Sequence, residues 1–371
     1  MAVDEAGVPR GTASGPGRRR LVRRVLSAGV SVAVVFAVFW YFLPQYTNVS
    51  DIWRYIREMS WAEVALLSLA AVWNLATYGL VMVSTMPGLT YPQAMVVTES
   101  STAVSNTVPG GGAVGIAMSY SMYSSWGFSK SRSTVSLLVA GIWNNFAKLG
   151  MPILALALLA LQQSPSTGRI VGGAAGIFAL GGAVTLFALL LRSDAWADRI
   201  GAGLERAVSR VLRTVGRPPV SGWGHAVRTF RRRTVGLVSA RWRSLTVTTV
   251  VSHVSLFAVL LVALRAVGVP ENDVGWAEAL VVFTFARLVT AIPVTPGGVG
   301  IVEVALITGM SAAGGVRAQV AAAVLLFRAL TYVLPVPLGV LTYAFWRRNR
   351  SWRREPGTAP RPPGLQLEQV P

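Results

Sequence analysis

Glu303 follows directly on the run Pro293-Val294-Thr295-Pro296-Gly297-Gly298-Val299-Gly300-Ile301-Val302, inside a long apolar stretch, and Arg287 stands upstream of the same break. An antiparallel hairpin about the break could bring this acid and base together. One reading is a structural ion pair that pins the hairpin, because buried polar groups must find partners. The other is anion chemistry, with Arg287 contacting a phosphate that suits its bidentate fork. A second copy of the break occurs earlier as Asn106-Thr107-Val108-Pro109-Gly110-Gly111-Gly112-Ala113-Val114-Gly115. Helices starting after Pro109 and after Pro296 would add free N–H donors and a positive dipole end to any anion site.

Other polar groups fall at helical spacing in apolar surroundings. Glu99, Thr102 and Asn106 share one face that leads into the first break; they are either polar glue between helices or the wall of a pathway. Asn144 and Lys148 are i, i+4 neighbours with Asn145 beside them, and Lys148 is too far from either end of its apolar segment to snorkel easily. Arg328, with Thr331 and Tyr332 on its face, occupies the corresponding region of the second half. Lys148, Arg287 and Arg328 could therefore face a shared interior and hold a lipid phosphate. His253 reads as a titrating group or as an interhelical contact. Ser100, Ser101 and Ser105 have no nearby His-Asp set, no P-loop is present, cysteine is absent, and His225 and His253 are far apart. No catalytic residue, metal site or cofactor is expected.

The elements that must position these residues are membrane helices. The 371 residues are 53% hydrophobic and only 13% charged, with mean hydropathy +0.54, the composition of a polytopic membrane protein. The net charge of +19 invites nucleic acid, but the arginines flank apolar segments, as cytoplasmic loops facing anionic headgroups do. No nucleic-acid partner is expected.

Residues 1–17 read as a disordered N-terminal tail and 349–371 as a disordered C-terminal tail. Between them, 18–348 form one membrane domain. The arginines from Arg18 to Arg24 precede a first span over 25–43, and further spans are expected at 61–86, 134–161, 170–191, 244–267 and 318–346. The arginine-rich region 192–243 is a cytoplasmic basic loop, whose part from Trp196 to Val215 has the spacing of an amphipathic surface helix. The segments around Pro109 and Pro296 are too short for paired crossings and read as re-entrant hairpins, and Pro335 and Pro337 should kink the last span. The fold expected is thus all-α, with about six full transmembrane helices plus two Pro-Gly re-entrant hairpins. Pro109 precedes Pro152 much as Pro296 precedes Pro337, and the two units enter from opposite sides, which makes them inverted repeats with both termini cytoplasmic.

The Pro-Gly-Gly-x-Gly-x-x-Glu signature at Pro296 to Glu303, with Pro109-Gly110-Gly111-Gly112 and the Asn144-Asn145 span, resembles the lysylphosphatidylglycerol synthase transmembrane region family, also called the flippase-like domain family. The likeness runs from about Trp61 to Trp346. It implies an integral domain of the bacterial plasma membrane that moves, or helps move, an anionic, aminoacylated or glycosylated lipid between leaflets, in company with lipid-modifying or glycosyl transfer enzymes. In the full synthases a soluble aminoacyl transferase domain follows; here the chain ends about 25 residues after the last span, so aminoacylation is not expected. A membrane enzyme acting on a polyprenyl-phosphate-linked substrate and a non-transporting scaffold are the alternative readings.

Overall fold

The computed structural model describes residues 49–359 apart from 109, 163–166, 193, 215–217, 219–222, 291–295 and 356. The expected first span at 25–43 and the tail 1–17 lie outside these. The described part is helical throughout: α1 Val49–Arg57, α2 Trp61–Thr85, α3 Tyr91–Thr107, α4 Gly111–Ser125, α5 Lys130–Gln162, α6 Thr167–Arg192, α7 Asp194–Thr214, α8 Trp223–Ala266, α9 Trp276–Val289, α10 Ile301–Ala312, α11 Arg317–Arg328 and α12 Pro335–Arg348.

Four stretches are long and apolar enough to cross a bilayer: Trp61–Thr85, Lys130–Leu161, Thr234–Ala266 and Arg317–Arg348. The span expected at 170–191 lies within α6, whose apolar portion is the shorter Ile177–Leu189. Leu66, Leu69, Val72 and Trp73 are exposed on α2, an outer surface suited to hydrocarbon rather than water. Helix starts carry local signals. Ser60 Oγ accepts from the Glu63 N–H (3.3 Å) while Glu63 accepts from the Ser60 N–H (2.7 Å), which closes a capping box ahead of α2.

The arms α3 and α4 pack on each other, as do α9 and α10. At 17, 15, 14 and 12 residues and about 1.5 Å per residue, each arm is shorter than the roughly 30 Å hydrocarbon core. Helix α2 pairs with α8, α3 lies on α12, and α9 lies on α5.

Polar contacts fix the α2–α8 pair at several depths, with Asn74 Nδ2 donating to Ser255 Oγ (2.8 Å) and Ser84 Oγ within 2.9 Å of Thr248 Oγ1. Gly339 makes the α3–α12 crossing close, because any Cβ there would strike the Glu99 carbonyl and Ala103. The α9–α11 half is filled by Leu260, Leu264, Phe283, Leu306, Met310 and Phe327.

Three expectations change in detail. The last span does not simply kink at its prolines: a π turn over Ala329–Val333 separates α11 from α12, with Leu334 N–H donating five residues back to Ala329 (2.8 Å). Pro335 and Pro337 cannot donate, and their rings need room at the preceding turn, which the wider coil supplies. The basic region 192–243 is largely helical, as α7 and the start of α8, and α7 packs on α8. Residues 349–355 and 357–359, expected within the disordered tail, instead dock on the α4–α5 turn. Arg354 N–H donates to Ser125 (3.0 Å), the amides of Gly357 and Ala359 both donate to the Gly127 carbonyl (2.8 and 3.1 Å), and Trp352 meets Trp126 edge to face. Gly127 permits that approach, with φ +84° and no room for a Cβ. The tail beyond 359 lies outside the described residues.

Candidate functional site

The two breaks are built differently. In the second, Pro296–Gly298 form one 3₁₀ turn and Gly297, Gly298 and Gly300 all have positive φ (60°, 71° and 86°), a sequence of left-handed conformations costly for any residue with a Cβ. In the first, only Gly110 is left-handed (φ 68°) and Gly111 N–H closes the turn onto Val108 (2.7 Å). Gly111 and Gly115 then let α4 lie directly against Ser105 and Ser101 of α3. Gly112 faces a cavity; Pro109 is outside the described residues.

Glu303 is 8% exposed, and both of its oxygens are used. One accepts from the Gly300 N–H (2.8 Å), capping α10; the other accepts from Arg328 Nε (2.6 Å). The ion pair of Glu303 with Arg287, one of the two readings of these residues, does not form. Helices α10 and α11 pack as successive elements, which sets the first turn of α10 beside the last turn of α11, whereas Arg287, in the last turn of α9, lines a cavity instead.

Arg328 is held on three sides. Besides Glu303, its Nη2 donates to the Gly297 carbonyl (3.3 Å), and its guanidinium lies 4.3 Å from the Tyr332 ring centre. Tyr332 packs so tightly on Gly297 that a Cβ would overlap the ring. Its hydroxyl donates to the Asn106 carbonyl (2.7 Å), and Asn106 Nδ2 donates back to the Tyr332 carbonyl (3.1 Å). A continuous chain of contacts therefore runs from the end of α3 through the π turn to the second break.

Beside this chain lies a cavity of about 540 Å³. Arg287, Arg328, Asn106, Asn144, Gly112 and Gly297 line it, all singled out in the sequence. Arg287 is the cation with spare capacity: its Nε is buried without a hydrogen-bond partner among the described residues. Lys148 is not on the wall, but it lies within electrostatic reach of Arg287 and His253. Asn145 turns away, exposed, and bonds its own helix at Gly141 (3.0 Å). Glu99 is 3% exposed, off the cavity wall, and neither carboxyl oxygen has a partner among the described residues, although Thr102 and Asn106 of the same expected face do reach the wall.

Sequence reasoning passed over Tyr78 of α2, which lines the cavity near Arg287. Its signal was Asn74, Thr77 and Tyr78 at i, i+3 and i+4 in an apolar span. His253, open in the sequence between a titrating group and an interhelical contact, shows features of both. The ring does bond Thr249 through Nδ1 (2.9 Å), but it lines the cavity with Nε2 unpartnered among the described residues. Thr98 and Thr249 add hydroxyls on the same wall that have no partner among the described residues. The arrangement can bind and orient an anion in a shielded site; no described group of three His, Cys, Asp or Glu could hold a metal.

A sequence profile of the lysylphosphatidylglycerol synthase TM region matches residues 27–339. No curated protein matches the chain.

Proposed function

The chain belongs to the lysylphosphatidylglycerol synthase TM region family, and on that basis we propose that it translocates a polar lipid between the leaflets of a bacterial plasma membrane. The observation that carries this reading is the cavity of about 540 Å³ at the meeting of two broken-helix hairpins, with Arg287 on its wall and spare hydrogen-bonding capacity there. Paired helix breaks at the interface of two repeats are the usual setting for a transport site, because irregular backbone is tolerated at membrane depth only where protein or a cavity satisfies it.

In this proposal α3–α4 and α9–α10 are re-entrant hairpins of an inverted repeat. The exchanged packing of α3 on α12 and α9 on α5 supports it. Both termini and the arginine-rich region from 192 to 243 face the cytoplasm, as the positive-inside bias favours. The headgroup enters the cavity and is held near Arg287, and movement of one hairpin against the other opens the site to alternate sides. No bond-making step is assigned. Lipid-modifying or glycosyl transfer enzymes would supply or consume the lipid.

Leaflet exchange of fluorescent anionic, zwitterionic and aminoacylated lipids in proteoliposomes tests this. Exchange above empty vesicles that falls in Arg287→Ala is expected. Wild-type exchange in both Arg287→Ala and Lys148→Ala proteins that insert normally would overturn the site; no exchange of any lipid would overturn the function.

A further inference from the structure

The cavity wall is one-sided in charge. Among the described residues that line it there is no Asp or Glu. Glu303 lies just behind, but its two oxygens are committed to Gly300 and Arg328, and that pairing also offsets the Arg328 charge. What remains is Arg287, a guanidinium that stays charged at physiological pH, with Lys148 close enough to add to its field. A planar fork whose Nε has no partner among the described residues matches one phosphodiester.

The rest of the polar wall is neutral. Ser101, Thr102, Ser105 and Asn106 follow one another along α3, facing Ser119 of α4 and Asn144 of α5. Ser101 and Ser105 donate to the Thr98 and Gly111 carbonyls (3.1 and 3.3 Å), which leaves their oxygens free to accept. Hydroxyls and amides both donate and accept, as do the hydroxyls of a polyol or sugar. Thr98 and Thr249 bring hydroxyls with no partner at all among the described residues. A volume of about 540 Å³ is adequate for such a headgroup and lies within the roughly 300–1,000 Å³ of ordinary ligand sites.

We infer that the site selects a singly anionic phosphodiester carrying a hydroxyl-rich headgroup, a polyol or sugar, and rejects headgroups that carry an aminoacyl ammonium. An added ammonium would meet Arg287 and Lys148 with no carboxylate on the described wall to receive it, since Glu99 is buried off that wall, and like charges brought together in a shielded site are strongly unfavourable. This rests on the translocation reading for its biological meaning, but not for its test.

The test is binding to the purified full-length protein in detergent, read by native mass spectrometry and thermal shift with short-chain phosphatidylglycerol, lysyl-phosphatidylglycerol and phosphatidylcholine. Phosphatidylglycerol is expected to bind at least about tenfold more tightly than the lysyl lipid, and Arg287→Gln to remove that preference. Asn144→Asp, which places an acid on the wall without touching Arg287, should weaken phosphatidylglycerol and strengthen the lysyl lipid, and it serves if the Arg287 variant fails to fold. Equal or tighter binding of the lysyl lipid to the wild type, or an order of preference unmoved by Asn144→Asp, would overturn the inference. Selective binding without leaflet exchange would uphold it and overturn translocation.

Discussion

The two hairpins share a Pro-Gly break and an acid, and they use them in opposite ways. In the second hairpin Glu303 caps its own helix, receives Arg328 and thereby pins Gly297, so acid, base and break form one closed unit. In the first, Glu99 lies two turns before the break with both oxygens unpartnered among the described residues, and the turn is closed by backbone bonds and by Gly111 and Gly115 packing on α3. Its brace comes from outside, through the reciprocal Asn106–Tyr332 bonds. The acid of the second hairpin is thus neutralised by the last turn of α11, and the first hairpin is anchored by the π turn that follows it and by Ser100 bonding Thr342 of α12.

The comparison can be broken most severely at Glu303. Glu303→Gln leaves Arg328 buried without its charge partner, and a loss of about 3–5 kcal/mol is expected, seen as a large fall in thermal midpoint or in inserted yield. The double variant Glu303→Gln with Arg328→Met, which removes both charges, should recover much of that loss. Failure to recover would mean that the pair does more than satisfy itself.

Glycine substitutions come next. Gly297→Ala adds a Cβ into the Tyr332 ring at a left-handed position and should cost about 2–4 kcal/mol in thermal unfolding. Gly110→Ala meets no atom within 4 Å and should cost only the conformational penalty of about 1–2 kcal/mol. Equal costs at the two sites would erase the distinction between a packed break and an open one.

Smaller still is the brace. Asn106→Ala and Tyr332→Phe each remove one hydrogen bond and should each destabilise by about 1 kcal/mol. If the first hairpin is the mobile element, hydrogen exchange of α3 and α4 should rise in both variants while α10 stays protected. The one effect expected in the stabilising direction is at Glu99. Replacing an unpartnered buried acid by Met removes a group that costs energy where it stands, so thermal stability should hold or rise by up to about 2 kcal/mol. A clear destabilisation would show that Glu99 has a partner after all; unchanged stability with lost lipid exchange would give it a role in transport.

Much of this was legible in the chain itself. The spans at 61–86 and 134–161 needed only runs of apolar residues, and Pro296, Gly297, Gly298 and Gly300 announced a break because no regular helix accepts that sequence. Asn106, Asn144, Arg287 and Arg328 could be picked out because polar groups are expensive among apolar neighbours. The partners could not be. Choosing Arg328 rather than Arg287 for Glu303 depends on how α11 packs on α10, and 25 residues of sequence separation carry no sign of it. The outward turn of Asn145 beside the cavity-lining Asn144 depends on where α5 meets its neighbours.

By itself the sequence determined that the protein is helical and membrane-embedded, where its helices break, and which polar residues must be accounted for, because each follows from local backbone chemistry and the cost of polarity in hydrocarbon. Tertiary structure alone decided which charges cancel and which remain available. That Glu303 neutralises Arg328, that Tyr332 ties the two breaks together, and that Arg287 is left with capacity on a cavity wall are all outcomes of helices packing at distances set by Gly297 and Gly339. Charge pairing acts over a few ångströms, and only the folded chain fixes distances on that scale.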